Sequence, residues 1–303
     1  MKRKVNRVGS NTLTVSLPSR WTKQLGIKPG DELELVEDSE NLVIGAKINK
    51  KRKEIAINIS KLGIMAGRVL GALYKSGYDE IKIEFDNPKM IEIVQKELMK
   101  GFIGVDIIHH SKNYCILKSI ATVNPNELDN SIRRVFRLLI ENSKDSLEAI
   151  KKKDYSELEN VAYKDMNLNK FADFSRRLLN KFNDSRYEKL NLVYIIIENL
   201  EKIGDKYRDL CTYISKNRIN LSKERIILYN RVNYFLILFY ELFYNYNDER
   251  CAELGNYYKK LHIDIEKCYN SIKKDEVQIL AILQSIADSI FDLNGPLLTS
   301  RFK

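Results

Sequence analysis

Two pairs of carboxylates stand one helical turn apart in the second half of the chain. Asp205 and Asp209 lie in Leu200-Glu201-Lys202-Ile203-Gly204-Asp205-Lys206-Tyr207-Arg208-Asp209, and Asp288 and Asp292 in Ser285-Ile286-Ala287-Asp288-Ser289-Ile290-Phe291-Asp292. Residues four apart share a helix face, where like charges repel unless a cation or a basic group sits opposite. Carboxylates presented by facing helices can supply oxygen ligands to Mg, Mn, Fe or Zn. The plainer alternative is that the acids pair with Arg208 and neighbouring lysines. A second chemistry stands at the N-terminus. Residues 1–30 carry seven basic side chains (Lys2, Arg3, Lys4, Arg7, Arg20, Lys23 and Lys28) and no acid, while the next ten residues carry six acids. That separation, within a chain of net charge +10, implies a positive face suited to an anionic partner.

No converging nucleophile and base, glycine-rich phosphate loop, nucleophile elbow or HExxH motif is present, so the sequence points away from an enzyme. His109, His110 and Cys115 make a weak Cys/His grouping, more economically read as structural or solvent-facing. The four cysteines are far apart, which argues against a zinc finger or disulfide framework and fits a reducing cytoplasm. The stretch from Val232 to Tyr246, broken by Asn233, Glu241 and Asn245, is too short and polar for a bilayer of roughly 20 residues. The N-terminus leads into polar alternation with no apolar signal region. The expectation is a cytoplasmic protein not integral to a membrane.

Three kinds of element must position these residues. From Lys4 to about Ala46 the pattern is strand-like: Leu13, Val15 and Leu17 alternate with polar residues, a turn of helix spans Arg20 to Leu25, and Lys28-Pro29-Gly30-Asp31 signals a turn. Lys47 to Lys53 is a basic bridge, read as a solvated linker with a supplementary phosphate contact as the alternative. Residues 54–120 alternate strand and helix, predicting one sheet and two helices. From the cap-like Asn124-Pro125-Asn126-Glu127 onward the chain is helical, in six stretches at about 125–151, 154–183, 186–217, 222–247, 249–272 and 275–302. Short connections make successive helices antiparallel, predicting two three-helix bundles in tandem.

A unit of about 45 residues with so little to bury has to dimerise. Its segments Arg7-Val8-Gly9-Ser10-Asn11-Thr12-Leu13-Thr14-Val15-Ser16-Leu17-Pro18 and Leu25-Gly26-Ile27-Lys28-Pro29-Gly30-Asp31 closely resemble the AbrB/SpoVT/MazE swapped-hairpin family. The resemblance implies a homodimer through the N-terminal domain whose basic face docks on double-stranded DNA. The expected contact set is Lys2, Arg3, Lys4, Arg7, Arg20 and Lys23. Trp21 is read as core before base-stacking. In the MazE branch the same fold also binds a toxin, although the long C-terminal region here is unlike a toxin-binding tail.

The helical half is similar to PhoU, whose bundles carry acidic metal motifs, one with an Arg-Ile-Gly-Asp run like Lys202-Ile203-Gly204-Asp205. Asp165-Met166-Asn167-Leu168-Asn169-Lys170, followed by Arg176-Arg177-Leu178-Leu179, resembles that family's paired-acid segment, with Asn169 in place of the second acid. Asn keeps a carbonyl but loses the charge, which weakens a site in the first bundle. Glu249 and Glu253 have the spacing in an unclear register. The expected metal set is therefore Asp165, Asn169, Asp205, Asp209, Asp288 and Asp292. The whole chain resembles archaeal-type PhoU regulators with an N-terminal AbrB-like domain.

The expected architecture is multidomain α+β: a swapped-hairpin β domain (1–47), a small α/β connector (48–122) and an all-α PhoU-like half (123–303), whose bundles divide at about 218/219. The expected function is DNA-binding transcriptional regulation of phosphate uptake and homeostasis. The helical half would sense metal, phosphate or a partner, such as a phosphate transporter's ATPase or a membrane-associated signalling protein. The alternative is an interaction adaptor of phosphate-transport signalling with little DNA binding. A membrane-surface protein using the basic segment 47–53 is a third class.

Overall fold

The computed structural model describes residues 2–38, 41–46, 53–121, 124, 127–182, 189–270 and 273–301. The basic bridge before Lys53, the cap residues Pro125 and Asn126, and the break at Asn183-Asp184 lie outside the described residues. Two compact units separate, Met1–Arg52 and Lys53–Lys303, a division five residues beyond the expected boundary.

In the first unit, β1 (Val5–Val8) and β2 (Thr12–Val15) form an antiparallel hairpin. Its turn places Gly9 at φ 71°, a left-handed conformation that glycine adopts without steric cost. Helix α1 (Ser19–Leu25) follows Pro18 and is closed by Gly26, also left-handed at φ 67°. At the next turn the Asp31 carboxylate accepts from the Lys28 amide (2.7 Å), and the Asp31 amide donates to the Lys28 carbonyl (3.1 Å). Strands β3 (Leu33–Asp38) and β4 (Asn41–Ala46) make a second hairpin.

The second unit begins with the expected sheet. Its strands β5 (Glu54–Asn58), β6 (Glu80–Glu84), β7 (Val105–His110) and β8 (Tyr114–Ser119) take the order β5-β6-β8-β7. Helix α2 (Ala66–Lys75) is the crossover between parallel β5 and β6, and α3 (Ile91–Gly101) leads to β7. Leu70 and Tyr74 of α2 and Val94 of α3 close over Ile81, Ile83, Cys115 and Leu117 as one small core.

The tandem bundles follow. Helices α4 (Glu127–Lys152), α5 (Tyr155–Lys181) and α6 (Leu190–Asn217) pack as one, and α7 (Lys223–Tyr244), α8 (Asp248–Tyr269) and α9 (Val277–Asp292) as the other. Asp154, Ser222 and Asn247 cap α5, α7 and α8 by accepting from the amides of Glu157, Arg225 and Arg250. The last expected helix is in fact two, α9 and α10 (Asn294–Arg301). Pro296 has no amide hydrogen for the Asp292 carbonyl and its ring would strike that carbonyl, so a new helix starts with Pro296 in its first turn. A buried polar chain joins the bundles: Tyr207 donates to Asn233 (2.8 Å), Asn233 donates to the Ser143 carbonyl (2.6 Å), and Tyr229 bonds Ser146 (2.6 Å). Among the described residues α7 is the one helix long and apolar enough to cross a membrane, longer than the interrupted stretch read from sequence. Its Leu228, Val232, Phe235, Leu236, Phe239 and Leu242 are buried in the bundle core.

The sheet is fastened to the first bundle by Arg177, which is fully buried on α5. Its guanidinium donates to the carbonyls of Tyr74 (2.7 Å) and Tyr78 (2.8 Å), at and just beyond the end of α2, and lies over the Tyr74 ring at 4.8 Å. A cation suits the negative end of a helix, and it adds to the bond that the Tyr74 carbonyl already accepts from the Gly77 amide (3.0 Å). Arg177→Ala should therefore lower unfolding stability by about 3 kcal/mol, from two charge-assisted bonds and the packing of the side chain. Arg177→Lys, with one point of attachment, should recover only part of that. Urea unfolding of both variants measures it.

Candidate nucleic-acid interface and acidic clusters

Lys2, Arg3, Lys4, Arg7, Arg20 and Lys23 are all exposed on the first unit. Lys2, Arg3 and Lys4 precede β1, whereas the hairpin register pairs Arg7 with Leu13 beside the turn. Arg20 and Lys23, three apart on α1, share a helix face. Because residues 1–30 hold no acid, these charges are not neutralised by near neighbours in sequence. Trp21 is half-buried, as are Leu17 and Ile27. No described side chain of this unit is buried. Val5, Val8, Leu13, Leu25, Leu35 and Leu42 are between 45% and 66% exposed, so among its described residues the unit has strands and turns but no buried core.

In the first bundle the structure brings Asp165, Asn169, Asp205 and Asp209 together, around a guanidinium. Arg208 donates to Asp165 (3.0 Å), to Asp209 (2.9 Å) and to Asp205. Asn169 turns its amide to Asp165 (3.1 Å) and so presents a donor there, where the sequence suggested a carbonyl ligand. Asp165 is 3% exposed, and burial raises its carboxyl to about pKa 6 against the pull of Arg208. The close fit depends on Gly204, where a Cβ would lie 3.0 Å from the Asp165 Oδ1 and 3.1 Å from Leu168. A neighbouring cluster on the same helices holds Arg176, fully buried, against Asp173 (2.7 Å), Glu198 and Glu201. Burial raises Glu201 to about pKa 7.

Asp288 and Asp292 stand apart from that group and meet different partners. Tyr258 donates to Asp288 (2.9 Å), and burial together with that carboxylate raises the phenol to about pKa 12. Lys206, on α6, donates to the Ser285 carbonyl (3.0 Å) and to Ser289 (2.5 Å). Burial lowers its pKa while the charges of Asp288 and Asp292 oppose that. Glu249 and Glu253 are exposed.

Of the expected ligand set, Asp165, Asn169, Asp205 and Asp209 come together in the first bundle, and Asp288 and Asp292 lie apart from them. A guanidinium fills the space among the acids of the first group, and a lysine and a phenol face those of the second. Among the described residues no three His, Cys, Asp or Glu side chains converge as metal ligands. The Cys/His grouping is also dispersed: Cys115 points into the core, where burial raises its thiol to about pKa 11, while His109 stacks on Tyr114 at 5.3 Å. Sequence reading names Arg208 and neighbouring lysines only as the plainer partners, and it misses the roles of Arg176 and Tyr258. The signals are faint: a basic residue three from Asp205, and an Arg pair within a segment singled out for its acids.

Residues 7–54 match the family described as antidote-toxin recognition MazE, bacterial antitoxin. A comparison with curated proteins gives no match. Among solved structures, the phosphate transport system regulatory protein PhoU from Streptococcus pneumoniae aligns at a TM-score of 0.46 and 17% identity, covering 58% of this chain and 94% of that one.

Two outcomes follow from the acidic clusters. Asp165 and Glu201 bind protons more tightly in the fold than their ordinary values of 3.8 and 4.5 allow in an unfolded chain. Their contribution to stability is complete below those ordinary values and is lost as pH rises through about 6 and about 7. Melting temperature should fall between pH 5 and 7.5 by a component that Asp165→Asn with Glu201→Gln abolishes; an unchanged slope would remove these carboxyls as its source. Arg208→Ala strips the counter-charge from three acids, so this variant should gain Mn²⁺ binding by calorimetry that the parent chain lacks. Stoichiometric metal in the purified parent, by elemental analysis, would contradict the ion-pair reading.

Proposed function

We propose that this chain is a DNA-binding transcriptional regulator of phosphate uptake and homeostasis. Its N-terminal units pair into one DNA-binding module, and its helical half is the sensing or interaction module. The observation that carries the DNA reading is the first unit itself: an acid-free basic segment on a fold in which no described apolar side chain is buried. A second copy would cover those side chains, and pairing doubles the number of cations presented to phosphates. The family match over residues 7–54 supports the same module. The phosphate assignment rests on the resemblance of the Lys202-Ile203-Gly204-Asp205 and Asp165–Asn169 segments to PhoU, together with the tandem bundles. A transporter ATPase or a membrane-associated signalling protein is the partner class this implies, in the cytoplasm. The antitoxin description of the family favours a second reading, in which the first unit recognises a toxin protein.

Gel shifts on genomic fragments at two salt concentrations test the assignment. The parent chain should bind more weakly at higher salt. Arg3→Ala, Arg7→Ala and Arg20→Ala together should weaken binding at least tenfold and flatten the salt slope, since each phosphate that a side chain neutralises contributes about 0.9 to that slope. Binding and slope that survive the triple change would refute the DNA face. A chain that binds no fragment at either salt would leave the toxin-recognition reading in its place.

A further inference from the structure

A cleft of about 1110 Å³ runs between the small sheet domain and the first bundle, both within the second compact unit. Helix α5 is its floor, with α2 and the end of α3 on one side and α6 on the other. Lining positions on α5 run from Glu159 to Asp173, which at the helical rise is about 21 Å of groove. That length suits four turns of a guest helix and exceeds what a drug-sized ligand spans.

The lining has the character of an interface. Ile64, at the start of the α2 wall, is 97% exposed; Tyr163 and Met166 on the floor are 74% and 50% exposed. A small-molecule site would enclose most of its ligand, and residues this open cannot do so. Large apolar side chains gathered along one groove are what a docked helix covers, and methionine adapts to such a partner. Helix α2 faces the cleft with Gly67 and Gly71, each costing about 1 kcal/mol of helix stability relative to Ala. At Gly71 a Cβ would meet nothing within 4 Å, so packing within this chain does not demand glycine there. Its absence of a side chain leaves the wall open to a close-approaching backbone.

The charges select the guest. Lys75 is paired with Asp173, Lys100 with Glu97 and Glu201 with Arg176, Arg208 is shared by three acids, and Glu159, which accepts from the neutral Ser215 hydroxyl, has no basic partner among the described residues. Arg68 on α2 and Lys216 on α6 line the cleft with no charged partner among the described residues. These two cations on opposite walls outnumber the one unpaired acid, Glu159, and the positive excess complements carboxylates on the occupant.

We propose that this cleft docks an acidic amphipathic helix of a partner protein, its apolar face on Ile64, Tyr163 and Met166 and its acids on Arg68 and Lys216. The proposal deepens the reading of the helical half as an interaction module and rests on it. The test selects a phage-displayed library of 16-residue peptides on the full-length chain and measures the best synthetic peptide by fluorescence polarisation. The expected winners carry apolar residues at helical spacing flanked by Asp or Glu. Their affinity should fall at least tenfold in Arg68→Glu with Lys216→Glu, and again in Gly71→Leu, which fills the wall while favouring helix. Failure to enrich any peptide, or winners without acids, or equal binding by these variants, would overturn the proposal. So would two other occupants: ATP raising the melting temperature of the parent but not of the charge-reversed variant, or Met166→Asp lowering the solution mass by light scattering, the mark of a second copy in the cleft. DNA gel shifts on the same preparations are scored separately, so a failed DNA reading and a failed docking site are told apart.

Discussion

Two adjacent arginines on α5 hold the second unit together, and they do so in different directions. Arg177 enters the carbonyls at the end of α2, and Arg176 enters the carboxylates of α6. Both are stripped of water, and a buried guanidinium is tolerated only where its bonds return what desolvation costs. The two partners differ accordingly: helix-end carbonyls take both terminal nitrogens of Arg177 while its Nε stays without a partner, and formal negative charges meet Arg176. The sheet, α5 and α6 are thereby fixed as a single body, which sets the width of the cleft that α2, α5 and α6 enclose.

The first unit follows the opposite logic. It has regular strands, a closed helix and two well-bonded turns, yet none of its described side chains is buried. Local hydrogen bonds define its shape while its apolar surface stays exposed. In the proposed pairing, folding and assembly become one process, and the basic segment comes to full strength when two copies present it together. Under that pairing the two units divide the work physically, one by internal burial and the other by association.

Much of this is legible in the sequence. Period-two alternation around Leu13 and Val15 marks β2, Gly26 ends α1, and the long amphipathic stretches give the helices nearly to their ends. What escapes reading depends on contacts remote in sequence. An arginine inside a helix reads as a surface charge, so Arg177 gives no sign that Tyr74 and Tyr78, about a hundred residues earlier, are its partners. Aspartates four apart announce a need for positive charge without saying whether an ion or a side chain meets it; only the fold places Arg208 among Asp165, Asp205 and Asp209. Pro296 is visible, but its effect is hidden beneath a continuous apolar pattern.

The central claim is that the basic N-terminal pair brings this chain to DNA in the service of phosphate uptake. Genome-wide mapping of its bound sites in growing cells, under phosphate-rich and phosphate-poor conditions, tests that most directly. The account predicts discrete sites at promoters of phosphate-transport genes, with occupancy that changes between the two conditions and disappears with Arg3, Arg7 and Arg20 changed to Ala. Occupancy that is absent, or indifferent both to phosphate and to those substitutions, would contradict it.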